Sequence, residues 1–119
     1  MVSPVQITIT AFGVSAFVSG VSTLINPSYT LEFLNLPPAA LPSVRGNALA
    51  AIGMGIYYSL AAYQNNTAFF AASVPMRLLS ASIFWVQGWQ AASIWEGTGS
   101  IATGLALLWQ LRLEKDKKE

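Results

Sequence analysis

The chain has 119 residues, 54% of them hydrophobic and 9% charged, with a formal charge of +1, whereas soluble domains are about a quarter charged. So few charges cannot coat a water-facing surface, and so small a net charge excludes the extended basic face that nucleic acid requires. Neither Cys nor His occurs, which removes disulfides, thiol nucleophiles, imidazole bases, haem ligation and the usual zinc, copper and iron sites, so no metal and no cofactor is expected.

Met1-Val2-Ser3-Pro4 lacks the basic start of a secretory signal, and the apolar stretch behind it is longer than a signal core. It is read as a retained first span over residues 6 to 25, since about 20 residues at 1.5 Å each cover roughly 30 Å of hydrocarbon. Asn26-Pro27-Ser28 ends it, because the residue before proline is pushed away from helical dihedrals. The connection from 26 to 42 is the longest. Within it Tyr29-Thr30-Leu31-Glu32-Phe33-Leu34 has the pattern of a short amphipathic turn at the interface, and Pro37-Pro38 and Pro42 bracket its far side.

Span two is expected over about 43 to 63, with Ser43 as N-cap and Arg45 in the first turn. Gln64-Asn65-Asn66 then leads into span three, about 67 to 87, through a link short enough to make the two spans antiparallel neighbours. Pro75 is expected to kink span three. In residues 88 to 99 Trp89, Gln90 and Trp95 have interfacial character, while Ala91-Ala92-Ser93-Ile94 suits a helix. Span four is placed at about 97 to 113, followed by a charged tail over 114 to 119. The fold class is therefore all-α: one integral membrane domain, a four-helix transmembrane bundle of antiparallel up-down topology.

Arg112, Lys115, Lys117 and Lys118 flank the end of span four, and the 26 to 42 connection has no basic residue. The positive-inside rule puts the C-terminus in the cytoplasm, and an even number of spans puts the N-terminus there too. Asn65-Asn66-Thr67 spells a glycosylation sequon, but this topology holds it on the cytoplasmic side against the membrane, and it is read as a chance occurrence.

Residues three and four apart share a helix face, and each span gathers its polar residues in this way. Thr8, Ser15, Ser19 and Ser22 form one stripe; Ser73, Arg77, Ser80 and Gln87 another; Glu96, Ser100, Thr103 and Gln110 a third. Span two offers Arg45 and Asn47 near its start, then a row of small residues, Ala51, Gly55 and Ser59, that reads as a packing seam. Arg77 stands apart because an arginine in mid-span costs roughly 2.5 to 3.5 kcal/mol, a cost that usually marks a cavity, a pathway or an ion pair. Counting from a span that begins near 97, Arg77 lies about 12 Å deeper than Glu96 at 1.5 Å per residue. Glu96 and Glu32 are the candidate partners of Arg77, but that depth is beyond the easy reach of one salt bridge unless the Pro75 kink helps; Arg45 is then preferred as the partner of Glu32 or Glu96, with Arg77 facing amides, hydroxyls, carbonyls or a ligand.

The order of features resembles a family of small four-helix membrane proteins of filamentous fungi and bacteria, known as a domain of unknown function. The resemblance is carried by Asn26-Pro27, Phe33-Leu34-Asn35-Leu36-Pro37, Arg45-Gly46-Asn47 with Gly53 and Gly55 behind it, and Pro75. It implies the four-helix architecture, and a link to lipophilic metabolites by analogy with biosynthetic gene clusters. In that family an acidic residue often follows the arginine of span two and another the proline of span three. Asn47 and Arg77 occupy those neighbourhoods here, so no acidic charge relay carries over.

The leading expectation is a polar cavity between helices, lined by Arg45, Asn47, Arg77, Ser80, Gln87 and Glu96 with Glu32 nearby, that binds or converts a lipophilic small molecule. Arg77 and Glu96 are the catalytic candidates: the arginine polarises a carbonyl or holds an anion, and the carboxyl acts as general acid or base. The alternative is a structural or accessory subunit docked on a membrane partner, and behind it an oligomeric transporter or channel. The expected partners are the bilayer, a lipophilic molecule, and a second copy or a membrane protein.

Overall fold

The structure is a computed structural model that describes residues 2–118, and these are almost entirely helical, with no strand among them. Five α-helices follow in order: α1 Pro4–Ile25, α2 Pro27–Phe33, α3 Leu41–Tyr63, α4 Thr67–Val86 and α5 Gln90–Lys118, with a 3₁₀ turn at Pro38–Ala40 between α2 and α3. Two compact units divide the chain, Thr10–Leu60 forming one and the remainder the other.

Each helix boundary has a side-chain or backbone cause. At the start of α1, Ser3 N–H donates to Gln6 Oε1 (2.8 Å) and Gln6 N–H donates to Ser3 Oγ (3.2 Å), the reciprocal pair of a capping box. Pro4 then occupies the first helical position, where no N–H is needed. Asn26 starts α2 by accepting from Tyr29 N–H (3.3 Å), and Asn66 starts α4 by accepting from Phe69 N–H (3.0 Å).

Three helices stop in the same way. Asn35 (φ 55°), Asn65 (φ 51°) and Gly88 (φ 86°) turn into the left-handed region after α2, α3 and α4. The next residue's N–H then reaches back to a carbonyl in the last turn: Leu36 to Leu31 (2.9 Å), Asn66 to Ala61 (3.0 Å) and Trp89 to Phe84 (2.8 Å). These are Schellman closures, which satisfy helix-end carbonyls that have no partner further along the helix. In the 64 to 66 link one amide residue therefore ends α3 and its neighbour begins α4.

Two boundaries differ from expectation. Ser43 does not cap α3: the helix begins at Leu41 and Ser43 lies inside it, exposed, because Pro42 fits the first turn without loss of a hydrogen bond. α5 starts at Gln90 rather than near 97 and stays helical through Lys118, so the basic residues of its last turn lie against the negative end of the helix dipole.

Within the Thr10–Leu60 unit the glycines of α1 bring it close to α3. A Cβ on Gly20 would stand 2.6 Å from the Ala48 carbonyl oxygen, and one on Gly55 would stand 2.6 Å from Phe17 Cβ and 2.7 Å from the Gly13 carbonyl oxygen. Gly13 in turn faces Ser59 and Tyr58, so contacts climb α1 as they descend α3. The Phe12 and Tyr58 rings pack 5.1 Å apart, and the Thr23 and Thr30 hydroxyls bond at 2.9 Å to fix the corner between α1 and α2.

In the other unit α4 and α5 run in opposite directions. Ser93 lies at the level of Ala81 and Ser100 at that of Val74, and Gly97 and Gly104 face Ala81 and Val74. The Phe84 and Trp89 rings stack 5.8 Å apart across the turn. The first residues of α1 belong here too, through Gln6 Nε2 donating to the Ala62 carbonyl (2.9 Å). By length and composition, α1 and α4 are apolar enough to cross a membrane.

Candidate functional site

The buried face of α4 consists of Phe70, Ser73, Arg77 and Ala81, and that of α5 of Ser93, Glu96, Ser100, Thr103 and Ala106. The intervals of three and four place each set on one side of its helix. The two faces meet, and their centre is an ion pair: Arg77 Nε lies 4.0 Å from Glu96 Oε2. Both residues are buried, Arg77 at 1% exposure and Glu96 at 4%.

This selects Glu96 among the partners left open for Arg77, over the preferred pairing of Glu96 with Arg45. Glu96 is joined to Arg77 and not to Arg45, because α5 begins two turns earlier than its apolar core suggests, which carries Glu96 down the helix to the level of Arg77. No ion pair links Arg45 to Glu32 among the described residues. Arg45 and Asn47 on α3 and Glu32 on α2 are all exposed in the Thr10–Leu60 unit. Gln87 is exposed in the turn after α4, and Ser80 is half-buried with its hydroxyl donating to the Met76 carbonyl (3.2 Å). Of the four expected lining residues that lie in the unit of α4 and α5, Arg77 and Glu96 are brought together.

The hydroxyls beside the pair are engaged with helix backbone. Ser93 Oγ donates to the Ala81 carbonyl (2.6 Å) and Ser100 Oγ to the Val74 carbonyl (3.0 Å), so one serine on each side of Glu96 holds α5 to α4. Ser73 Oγ donates to Phe70 of its own helix (2.7 Å), and the Thr8 and Thr103 hydroxyls bond at 3.1 Å, tying the start of α1 to α5. Ser93 is absent from the expected stripe. It stands three residues before Glu96, a spacing that becomes visible only once the helix is known to reach back past Trp95.

The ion pair is looser than its surroundings. Its 4.0 Å separation exceeds the 2.7–3.2 Å of an N–H···O hydrogen bond, and Glu96 Oε2 makes no hydrogen bond among the described residues. A carboxylate oxygen with acceptor capacity can receive a hydroxyl proton, and the guanidinium charge beside it favours negative charge at that point. Comparison with family models, with curated proteins and with solved structures finds no match to this chain.

Proposed function

We propose that the chain is a multi-pass membrane protein and that the Arg77–Glu96 pair is the polar centre of a site for a lipophilic small molecule bearing an oxygen function. The observation that carries this is the inverted distribution of its side chains. Arg77, Glu96, Ser93, Ser100 and Thr103 are buried, while Ile7, Val14, Val18, Leu49, Ile56, Leu79, Ile101, Leu105 and Leu108 are exposed. A soluble fold of this size does the reverse, and an apolar surface that large needs lipid or a partner to cover it. Little of the apolar stretches is buried within the protein, 33% for α1 and 17% for α4, which suits helices solvated by acyl chains better than core helices.

On this reading α1, α3, α4 and α5 cross the bilayer as an antiparallel bundle with both ends of the chain in the cytoplasm. The resemblance to small four-helix membrane proteins is then a kinship in architecture. Polar residues within such a bundle turn away from lipid, and ionisable ones are retained for a task more often than for stability. The Ser93 and Ser100 hydroxyls also hold α4 to α5, and a buried ion pair between them is a costly way to add to that hold.

The test is to purify the full chain in mild detergent and identify small molecules that stay with it by mass spectrometry of an organic extract. The native chain is expected to retain a lipophilic compound that Glu96→Gln loses while still purifying as a folded, monodisperse protein in the same detergent. Equal retention by both would refute the site.

A second reading, an accessory subunit that docks on a membrane protein, is favoured by the Ser93 and Ser100 bonds, which spend hydroxyl donors on holding helices together. Co-purification of the native chain and of Glu96→Gln with the same larger protein, with no retained small molecule, would support it.

A further inference from the structure

At the C-terminal end of α5, Leu108, Trp109, Leu111, Arg112 and Lys115, all on that one helix and all exposed, border a shallow surface recess. We infer that it binds an anionic phospholipid, with Arg112 and Lys115 holding the headgroup phosphate and Trp109 and the two leucines the start of the acyl chains. The inference rests on the membrane reading above.

Helix length sets the depth. α5 has 29 residues, about 43 Å at 1.5 Å each, against about 30 Å of hydrocarbon, so its last turns lie in the headgroup layer. Counted from Gln90, Leu108, Trp109 and Leu111 then lie within about 5 Å of one another in depth, at the edge of the acyl region where indoles concentrate, and Arg112 and Lys115 lie further out towards the phosphates. Arg112 and Lys115 are three residues apart and share a face with Leu108, so charge lies directly above apolar wall, as in a lipid.

The acidic residues nearby leave that face positive. Glu114 points round the helix and accepts from Gln110 Nε2 (3.5 Å). Asp116, four residues after Arg112, forms no ion pair with it among the described residues. The remaining charge complements an anionic headgroup, the attraction that basic residues beside a membrane span exert on acidic lipids.

The experiment is native mass spectrometry of the full chain in detergent, offered equal amounts of phosphatidylglycerol and phosphatidylcholine with identical acyl chains. The native chain should retain the anionic lipid about fivefold or more over the zwitterionic one. Arg112→Gln with Lys115→Gln should bring that ratio near one, Lys117→Gln on the opposite side should leave it, and Asp116→Asn should raise it. A ratio near one for the native chain, or an equal loss with Lys117→Gln, overturns the inference. Displacement of the lipid by excess inorganic phosphate would assign the recess to a free anion and overturn it also. A chain that needs detergent throughout keeps the membrane reading whichever way the ratio falls, whereas one that is monodisperse in plain buffer removes both.

Discussion

Arg77 and Glu96 place opposite charges where neither reaches water, and such a pair is costly to separate. Each ion loses its hydration, and mutual attraction restores that loss only while both are present. Arg77→Met should therefore lower stability by about 3–5 kcal/mol, by leaving one carboxylate uncompensated, whereas Arg77→Met with Glu96→Leu should recover most of it. Thermal unfolding in detergent across the four chains of this cycle checks the expectation. A single substitution costing under about 1 kcal/mol would mean that water reaches the pair. Both residues were legible in the sequence as charges set among apolar residues; their partnership was one of several pairings left open, and not the preferred one. Depth along α5 was counted from where its apolar run starts, and a helix that includes Trp89-Gln90 at its entry shifts that origin by nearly two turns.

Among the elements, α1, α3 and α4 lie close to where their apolar runs and the neighbouring Asn and Pro residues placed them. Adjacent amides, Asn65 ending one helix and Asn66 starting the next, leave a sharp mark in a sequence. The start of α5 left none, since Gln90, Trp95 and Glu96 mix interfacial and helical signals, and hydrogen bonds from Ser93 to α4 decide the matter only after folding. The small-residue row of α3 was read as a seam, and its consequence is measurable. Gly55→Ala would push a methyl group to 2.6 Å from Phe17 Cβ and 2.7 Å from the Gly13 carbonyl oxygen, so a loss of about 1–3 kcal/mol is expected from overpacking. Gly46, in the same helix, has nothing within 4 Å of such a group, and Gly46→Ala should instead raise stability slightly by favouring the helix. Denaturation of the two variants side by side reads both effects, and equal losses would show that helix propensity and not close approach decides at Gly55.

For the whole molecule, the low charge content led the sequence reading to a membrane, and the structure has two helices, α1 and α4, long and apolar enough to cross one. The proposed topology fixes which segments share a side. In sealed vesicles, tags at the two ends should be cleaved by the same added protease, and a tag inserted between Pro37 and Pro38 should respond only to protease on the opposite side. Cleavage of all three from one side would reject four spans. The Arg77–Glu96 pair also bears on how such a chain is made. Ribosomes release Arg77 before Glu96, so for a short interval the nascent chain holds an orphan cation, and α4 gains a neutralising neighbour only once α5 has emerged. The insertion machinery would then receive the two helices as a hairpin, delivered together.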